Sequence, residues 1–504
     1  MSNFVLIMTD TQATNVVGAY GHPELLTPNI DRLAQTGIKF ENAYTTCPLC
    51  TPARAGLFTG IYPHTAGAWT NNLPLGDNIK TMGHRFRDGG YDTAYIGKWH
   101  LDGHDYFGTG SCPDGWDPQY WFDGRNYLDT LTEDEITLWR QKLNSLEDLV
   151  AHDVKAEFTW AHRIGDRAVD FLRHQTGKPF VLVVSYDEPH HPFTAPPEFV
   201  NKFVDFDYDL GPAALDTLED KPAHQQEWAR SAHVKARLRH TLTRHPMYLG
   251  CNSFVDHEIG RVIDAAHQYA PENTTIIFTS DHGDMMGAHQ LTGKGPVMYD
   301  EIAHIPLIIE LPGGMAGQNN ATVVSHIDLL PTMLSLADLP CPPILEGRSL
   351  VPQLTGEQDL DRAAVIEFQR YEIEHDSWGG YQPVRCIVTQ KHKLVINLLS
   401  SDELYDRESD PAEVQNLIDH PELTDIRNAL HDRLLDWMYE KRDPFRGPVW
   451  ERRPWRETRR YQWQGNFRPR PADGYTTEVR DYDTGLPTAG VKMEYGGRKK
   501  TKIG

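Results

Sequence analysis

The pentapeptide Cys50-Thr51-Pro52-Ala53-Arg54 sets a thiol just ahead of a Thr-Pro pair, with a guanidinium one helical turn further on. Proline is favoured in the first turn of a helix, so Cys50 is expected to open one, where unpaired N–H groups and the positive end of the helix dipole activate a thiol. Considered alone, a buried structural cysteine is the simpler explanation. Cys47 adds another reading, because Cys-x-x-Cys spacing suits a redox pair or half of a metal site. Other chemistry-bearing groups recur along the chain: Asp10, Lys98 with His100, Asp187-Glu188 with His190, Asp281-His282, and Lys294. Asp10, Asp281 and His282 are candidate ligands for a divalent metal, while Arg54, Lys98 and Lys294 supply permanent positive charge. Asp187 and Glu188 read as a general acid/base pair or, preferably, as groups that orient His190.

These residues need elements to bring them together. β-rich runs at Phe4–Met8, Tyr91–Gly97, Phe180–Tyr186, Thr274–Thr279 and Ile305–Glu310 alternate with amphipathic stretches at Asn29–Gln35, Ala161–His174 and Ile327–Ala337. That alternation predicts an α/β fold, a mixed, largely parallel sheet flanked by helices. Four of the runs lead directly into a polar cluster: Asp10, Lys98 and His100, Asp187 and His190, Asp281 and His282. Open α/β sheets bind ligands beyond the carboxyl ends of their strands, so the clusters should converge on one site. With 24 histidines in the chain, any single one is ordinarily a surface or structural group; placement after a strand is what singles out His100 and His190.

A chain of 504 residues exceeds the size of one hydrophobic core, about 250–300 residues, so two domains are expected. The first spans 1–362. The second, 363–504, is a smaller α+β unit with a hairpin from Val384–Thr389 and Lys393–Leu398, a helix over Leu423–Tyr439 and an extended Arg/Trp-rich tail. The tail resembles a nucleic-acid arm in composition, but 49 Lys+Arg against 71 Asp+Glu leave a net charge of -22, which excludes a phosphate-tracking protein. It is expected to pack on its own domain or to join two copies as a homo-oligomer. Phe4–Met8 is far shorter than the about 20 apolar residues of a membrane span and has no signal-peptide flanks. Six scattered cysteines make no disulfide framework, so a reducing cytoplasm is the expected compartment, with no membrane partner.

The block around Cys50, with the trailing Thr59-Gly60, resembles the sulfatase signature, in which the cysteine is oxidised to formylglycine by a maturing enzyme. Asp10, Gly97-Lys98-Trp99-His100, Pro189-His190-His191-Pro192-Phe193, Ser280-Asp281-His282-Gly283 and Gly293-Lys294-Gly295 are similar to sulfatase blocks in the family order. Ser325-His326-Ile327-Asp328-Leu329-Leu330-Pro331-Thr332 and Glu403-Leu404-Tyr405-Asp406 are similar to its later landmarks. The resemblance implies an alkaline-phosphatase-like fold with a small C-terminal domain containing an antiparallel sheet. It sets redox chemistry at Cys47 and Cys50 aside, since no second Cys pair exists. It implies catalytic roles for Cys50, Arg54, Lys98, His100, His190 and Lys294, and a metal site from Asp10, Cys50, Asp281, His282 and Gln12. Ca²⁺ leads as the ion. Thr11-Gln12 stands where many relatives carry a second Asp, and His282 where many carry Asn, so Mn²⁺ is the alternative, imidazole favouring transition metals.

The implied chemistry is sulfate-ester hydrolysis. Hydrated formylglycine at position 50 attacks sulfur, His190 protonates the departing alcohol, and His100 deprotonates the remaining hydroxyl to expel sulfate from a covalent intermediate. Trp69, Asn71, Asn72, Asp102, His104, Arg370, Tyr371 and His375 are candidate rim residues, with Trp69, Asn72, His104, Arg370 and His375 taken as substrate-binding; packing at a domain junction is the competing reading. Their polarity suggests a hydroxyl-bearing leaving group such as a sugar. Two other functions stay open: a phosphonate monoester or phosphodiester hydrolase of the same superfamily, and a protein that binds sulfated ligands without cleaving them.

Overall fold

The computed structural model describes residues 2–231, 238–372 and 381–456. The main sheet has seven strands, β1 (Asn3–Thr9), β2 (Ile38–Tyr44), β3 (Asp92–Gly97), β4 (Phe180–Ser185), β5 (Thr274–Ser280), β6 (Leu307–Glu310) and β7 (Gln318–Ser325), in the order β3-β4-β1-β5-β6-β2-β7. The first four of that order are parallel to one another. β6 runs antiparallel to both neighbours, which makes the sheet mixed. Strands β1 and β4 are buried along their whole length, so both faces are apolar and no alternation shows, as helix-covered parallel strands require.

Side chains of β1 sort by parity into two layers. Val5 and Ile7 face a core shared with α3 (Trp160–Arg173) and α4 (Pro246–Tyr269), including Ile164, Phe254 and Ile259. Phe4, Leu6 and Met8 face the opposite core with α2 (Cys50–Thr59) and α5 (Leu329–Leu336), including Leu57, Phe58 and Met333. The helix α1 (Pro28–Thr36) covers the first layer beside α4. Helix, sheet and helix thus form three layers, and the α/β expectation holds.

A second, antiparallel sheet follows, of β8 (Ala364–Phe368), β9 (Val384–Val388), β10 (His392–Asn397) and β11 (Glu403–Asp406), with α6 (Thr424–Glu440) against it. Ile387, Leu394, Ile396 and Leu404 meet Leu430, Leu434 and Met438 in a separate core. The described start of the Arg/Trp-rich tail packs here too: Trp450 is buried in that core, Arg453 pairs with Asp402 at 2.7 Å and Arg456 with Asp432 at 2.9 Å. These two arginines are therefore turned onto carboxylates of the same chain. The rest of the tail, with the oligomer expectation, lies outside the described residues. Among the described residues no helix is long and apolar enough to cross a membrane.

Candidate active site

Because β3, β4, β1 and β5 are adjacent and parallel, the residues that follow them leave the same edge of the sheet. Close approach is needed there. Gly97 has φ 117°, and a Cβ on it would stand 1.9 Å from the Ser185 carbonyl oxygen, so only glycine lets Lys98 N–H donate to that oxygen at 2.8 Å. Trp99 sinks beside Phe58 of α2, with centroids 5.3 Å apart, and pins the Lys98–His100 segment against the helix that carries Cys50. As expected, Cys50 is the first residue of α2, whose ten residues are all buried; Asn71 Oδ1 accepts the free N–H of Thr51 at 3.1 Å.

Asp10, Cys50, Asp281 and His282 converge, with one candidate ligand atom from each lying within 4.8 Å of every other. All four are buried. His282 Nδ1 donates to the Gly283 carbonyl at 2.9 Å, so Nε2 faces Cys50 Sγ at 3.3 Å. Burial and the Asp10 charge push the Asp281 carboxyl up to about 7, whereas Asp10, although buried, is held well below the usual range by Lys98 and Lys294. Two buried carboxylates and an imidazole that repel or strain one another in this way suit a divalent cation. Gln12 departs from the expected ligand set. Its oxygen accepts from Thr9 Oγ1 at 2.8 Å and its nitrogen donates to Asn252 at 2.5 Å, so the side chain is turned into the protein.

The three cations have different jobs. Arg54 donates to Asp281 Oδ2 at 3.0 Å, Asp10 Oδ2 at 3.2 Å, the Lys98 carbonyl at 2.7 Å and Ser185 Oγ at 2.8 Å. Its fork is thus committed to holding the carboxylates, a partner choice that the expectation of a permanent positive charge at Arg54 did not specify. Lys98 bridges Asp10 at 2.7 Å and Asp187 at 2.8 Å. Lys294 alone of the three reaches the thiol, with Nζ 2.7 Å from Cys50 Sγ. Burial and Asp10 push that thiol up, and Lys294, Lys98 and His282 outweigh them, bringing it down to about 6. Cys47 instead lies in an apolar core with Tyr44, Val384 and Cys386, and burial raises its thiol well above the ordinary value. Both cysteines are free, so the Cys-x-x-Cys pair forms no disulfide.

His190 stands at the partly exposed mouth, packed against Tyr106 with centroids 5.3 Å apart and the rings tilted by 43°. Its Nδ1 donates to the His191 carbonyl at 2.8 Å and is 4.0 Å from Asp187, so the carbonyl orients the ring and Asp187 serves Lys98, contrary to the expectation. Glu188 turns the other way, onto the Ala161 N–H at the start of α3. His100 is buried and bonded to Asn72. Of the expected substrate contacts, Asn72 is occupied by His100 and Glu372; Trp69 is half-buried and His104 exposed, and neither bonds to the cluster among the described residues; Arg370 gives its carbonyl to Thr70. His375 lies outside the described residues. Tyr106, Ser185 and Glu372 were not foreseen. Ser185 had a signal in its place at the end of β4; Tyr106, well out in the loop beyond β3, and Glu372 had none.

Comparison with known proteins agrees with this geometry. Residues 2–339 match the Sulfatase family model, and residues 287–440 match the model described as N-sulphoglucosamine sulphohydrolase, C-terminal. The chain belongs to the sulfatase family and is a sulfuric ester hydrolase with an alkaline-phosphatase-like fold. It is 58% identical over 503 residues to the Escherichia coli K12 protein named "Uncharacterized sulfatase YidJ", covering 99% of each chain. Two solved structures share the fold. One is a complex with its substrate D-glucosamine-2-N,6-O-disulfate, at TM-score 0.70 and 23% identity over 88% of this chain and 99% of that one. The other is phosphonate monoester hydrolase of Agrobacterium radiobacter, at TM-score 0.68 and 24% identity over 88% and 96%.

Proposed function

We propose that the chain hydrolyses a sulfate monoester of a saccharide or similar small hydroxylated molecule, using residue 50 as nucleophile after Cys50 is converted to formylglycine by a maturing enzyme. A single divalent cation, Ca²⁺ ahead of Mn²⁺, would be held by Asp10, Asp281, His282 and residue 50. The observation that carries the reading is the Lys294 ammonium 2.7 Å from Cys50 Sγ, beside that buried ligand cluster. Bound, the cation would supply Lewis-acid activation, and the formylglycine hydrate two geminal oxygens where the structure has one sulfur. Lys294 meets charge that grows on the ester oxygens, and Arg54 and Lys98 keep the carboxylates in place. His190 hands a proton to the departing alcohol. Burial, Lys98 and Lys294 depress its imidazole, and an incoming sulfate anion offsets those two charges, so the substrate that needs the proton also favours its presence. His100, in turn, takes a proton from residue 50.

A saccharide leaving group is supported by the relative solved with a glucosamine disulfate and by the C-terminal family match. The test is a panel of sulfated monosaccharides beside an aryl sulfate and its phosphonate and phosphodiester analogues. The highest kcat/KM is expected on a sugar sulfate; a preference for a phosphonate or phosphodiester would replace the reading. Mass spectrometry of the peptide spanning Thr45–Arg54 should find the aldehyde or its hydrate, and a fully active preparation with only thiol would defeat the nucleophile assignment.

A further inference from the structure

Asn72 sits between an imidazole and a carboxylate. Its Oδ1 is 3.1 Å from His100 Nε2, and its Nδ2 donates to the Glu372 carboxylate. An ionised carboxylate only accepts, so the amide nitrogen must face Glu372 and the amide oxygen must face His100. An amide oxygen also only accepts, which puts the proton of His100 on Nε2. Burial, with the charges of Lys98 and Arg54, holds the ring's pKa well below its ordinary value and the ring neutral. The lone pair of a neutral imidazole protonated at Nε2 is on Nδ1. That atom is buried and, among the described residues, has no hydrogen-bond partner.

We infer that Asn72 and Glu372 are a positioning pair that selects the tautomer of His100 and thereby makes Nδ1 the atom that accepts the proton from residue 50. The inference deepens the role given to His100 above and rests on it. The backbone supports the pair from both sides. Thr70 Oγ1 donates to the Arg370 carbonyl at 2.9 Å and the Asn71 N–H to the Tyr371 carbonyl at 3.3 Å, so 70–72 lies alongside 370–372. Asn72 has φ 61°, a left-handed conformation that asparagine tolerates better than most residues. On the other flank, the His100 carbonyl accepts from Thr51 Oγ1 at 2.9 Å, which ties the base to the helix of the nucleophile. In the step itself, the hydroxyl proton of residue 50 passes to Nδ1 and the O–H electron pair stays on oxygen. Nε2–H keeps its bond to Asn72, and the imidazolium later returns its proton to solvent.

The test measures kcat and KM on nitrophenyl sulfate for Asn72→Ala, Asn72→Asp, Glu372→Gln, His100→Ala and the Asn72→Ala/His100→Ala pair, with thermal melts alongside. Asn72→Ala should lower kcat by about 10–100-fold with KM within about twofold. Asn72→Asp should retain more kcat than Asn72→Ala, since its carboxylate still accepts from Nε2–H although it faces Glu372. The double variant should be no slower than His100→Ala. Additive losses, or an Asp variant slower than the Ala variant, would overturn the inference. Should Asn72→Ala fail to fold, Glu372→Gln replaces it in the cycle: a severalfold fall in kcat that vanishes in the His100→Ala background is expected, and an unchanged kcat overturns the pair. Normal turnover by His100→Ala would instead remove the parent reading of His100, and no turnover of any sulfate ester by the parent protein would remove the proposed function.

Discussion

Lys98 and Lys393 are both fully buried lysines bridging two carboxylates, yet one belongs to the site and the other to the seam between the two sheets. Lys393 of β10 donates to Asp300 at 2.6 Å and to the Met298 carbonyl at 2.8 Å, and forms an ion pair with Glu413 at 2.5 Å. Lys98 has Asp10, Asp187 and the face of Tyr106 at 5.1 Å. The difference lies in what surrounds each. Around Lys393 the further cation, Arg407, is turned onto Asp300 and Asn42. Around Lys98 the further cations are Arg54, turned onto Asp10 and Asp281, and Lys294, turned onto a sulfur. A buried charge cluster closed by carboxylates and carbonyls holds elements together, whereas one that ends on a polarisable, reactive atom is prepared for an anion.

The contrast can be broken most sharply at residue 50. Cys50→Ser should lose about 10⁶-fold in kcat, as removal of a nucleophile does, with an unchanged melting temperature; retained turnover would show that the reactive atom lies elsewhere. Asp281→Ala should come next, losing bound divalent metal in elemental analysis and about 10³–10⁴-fold in activity. An Asp281→Ala protein active without metal would dissolve the distinction between the two clusters. His190→Ala should cost about 10³-fold on a sugar sulfate and far less on nitrophenyl sulfate, whose alcohol leaves unaided. Equal losses on both would move the proton donor to Lys294.

At the seam the expected signature is reversed. Lys393→Ala leaves the buried Glu413 carboxylate facing the half-buried Asp300 and should lower the unfolding free energy by about 3 kcal/mol, with KM little changed in the folded fraction. A second structural pair gives the smallest effect. His64 Nδ1 lies 2.5 Å from Glu367 Oε2, and although burial opposes it, the carboxylate raises the imidazole to about 9. Its stabilisation is complete below the ordinary histidine value, about pH 6.5, and is lost as pH rises through 9. Relative to His64→Gln, the parent should therefore lose about 3 kcal/mol of stability between those limits in urea titrations; parallel pH curves would contradict the pairing.

What could be read from sequence follows the same division between local and distant causes. Runs such as Phe4–Met8 and Phe180–Ser185 announce buried strands, and the polar residues right after them had to share an edge once the strands were parallel. Strand β2, with Lys39, Glu41 and Asn42 among its apolar residues, and β7, opening on Gln318-Asn319-Asn320, carry no such run. Helix α4 was missed because it buries Asn252, Asp256 and Glu258 along with its apolar residues, leaving no amphipathic stripe to count. In the site, residue types predicted positions but not partners. Arg54 turns to Asp10 and Asp281, Asp187 to Lys98, and Gln12 to Asn252, and no spacing along the chain records which of several nearby acceptors a donor will choose.

The pairing of 70–72 with 370–372 has a consequence for how this enzyme can be taken apart. A fragment ending at residue 362 would contain Cys50 and every metal-ligand candidate, yet would part Asn72 from Glu372 and strip Lys393 and Arg407 from Asp300. The second sheet is therefore not an exchangeable module. A chimera that borrows it from a relative must carry the acceptor at 372 and the cations at 393 and 407 with it, and recombination crossovers between the sheets should yield inactive, poorly soluble chains unless both sides of the seam come from one parent.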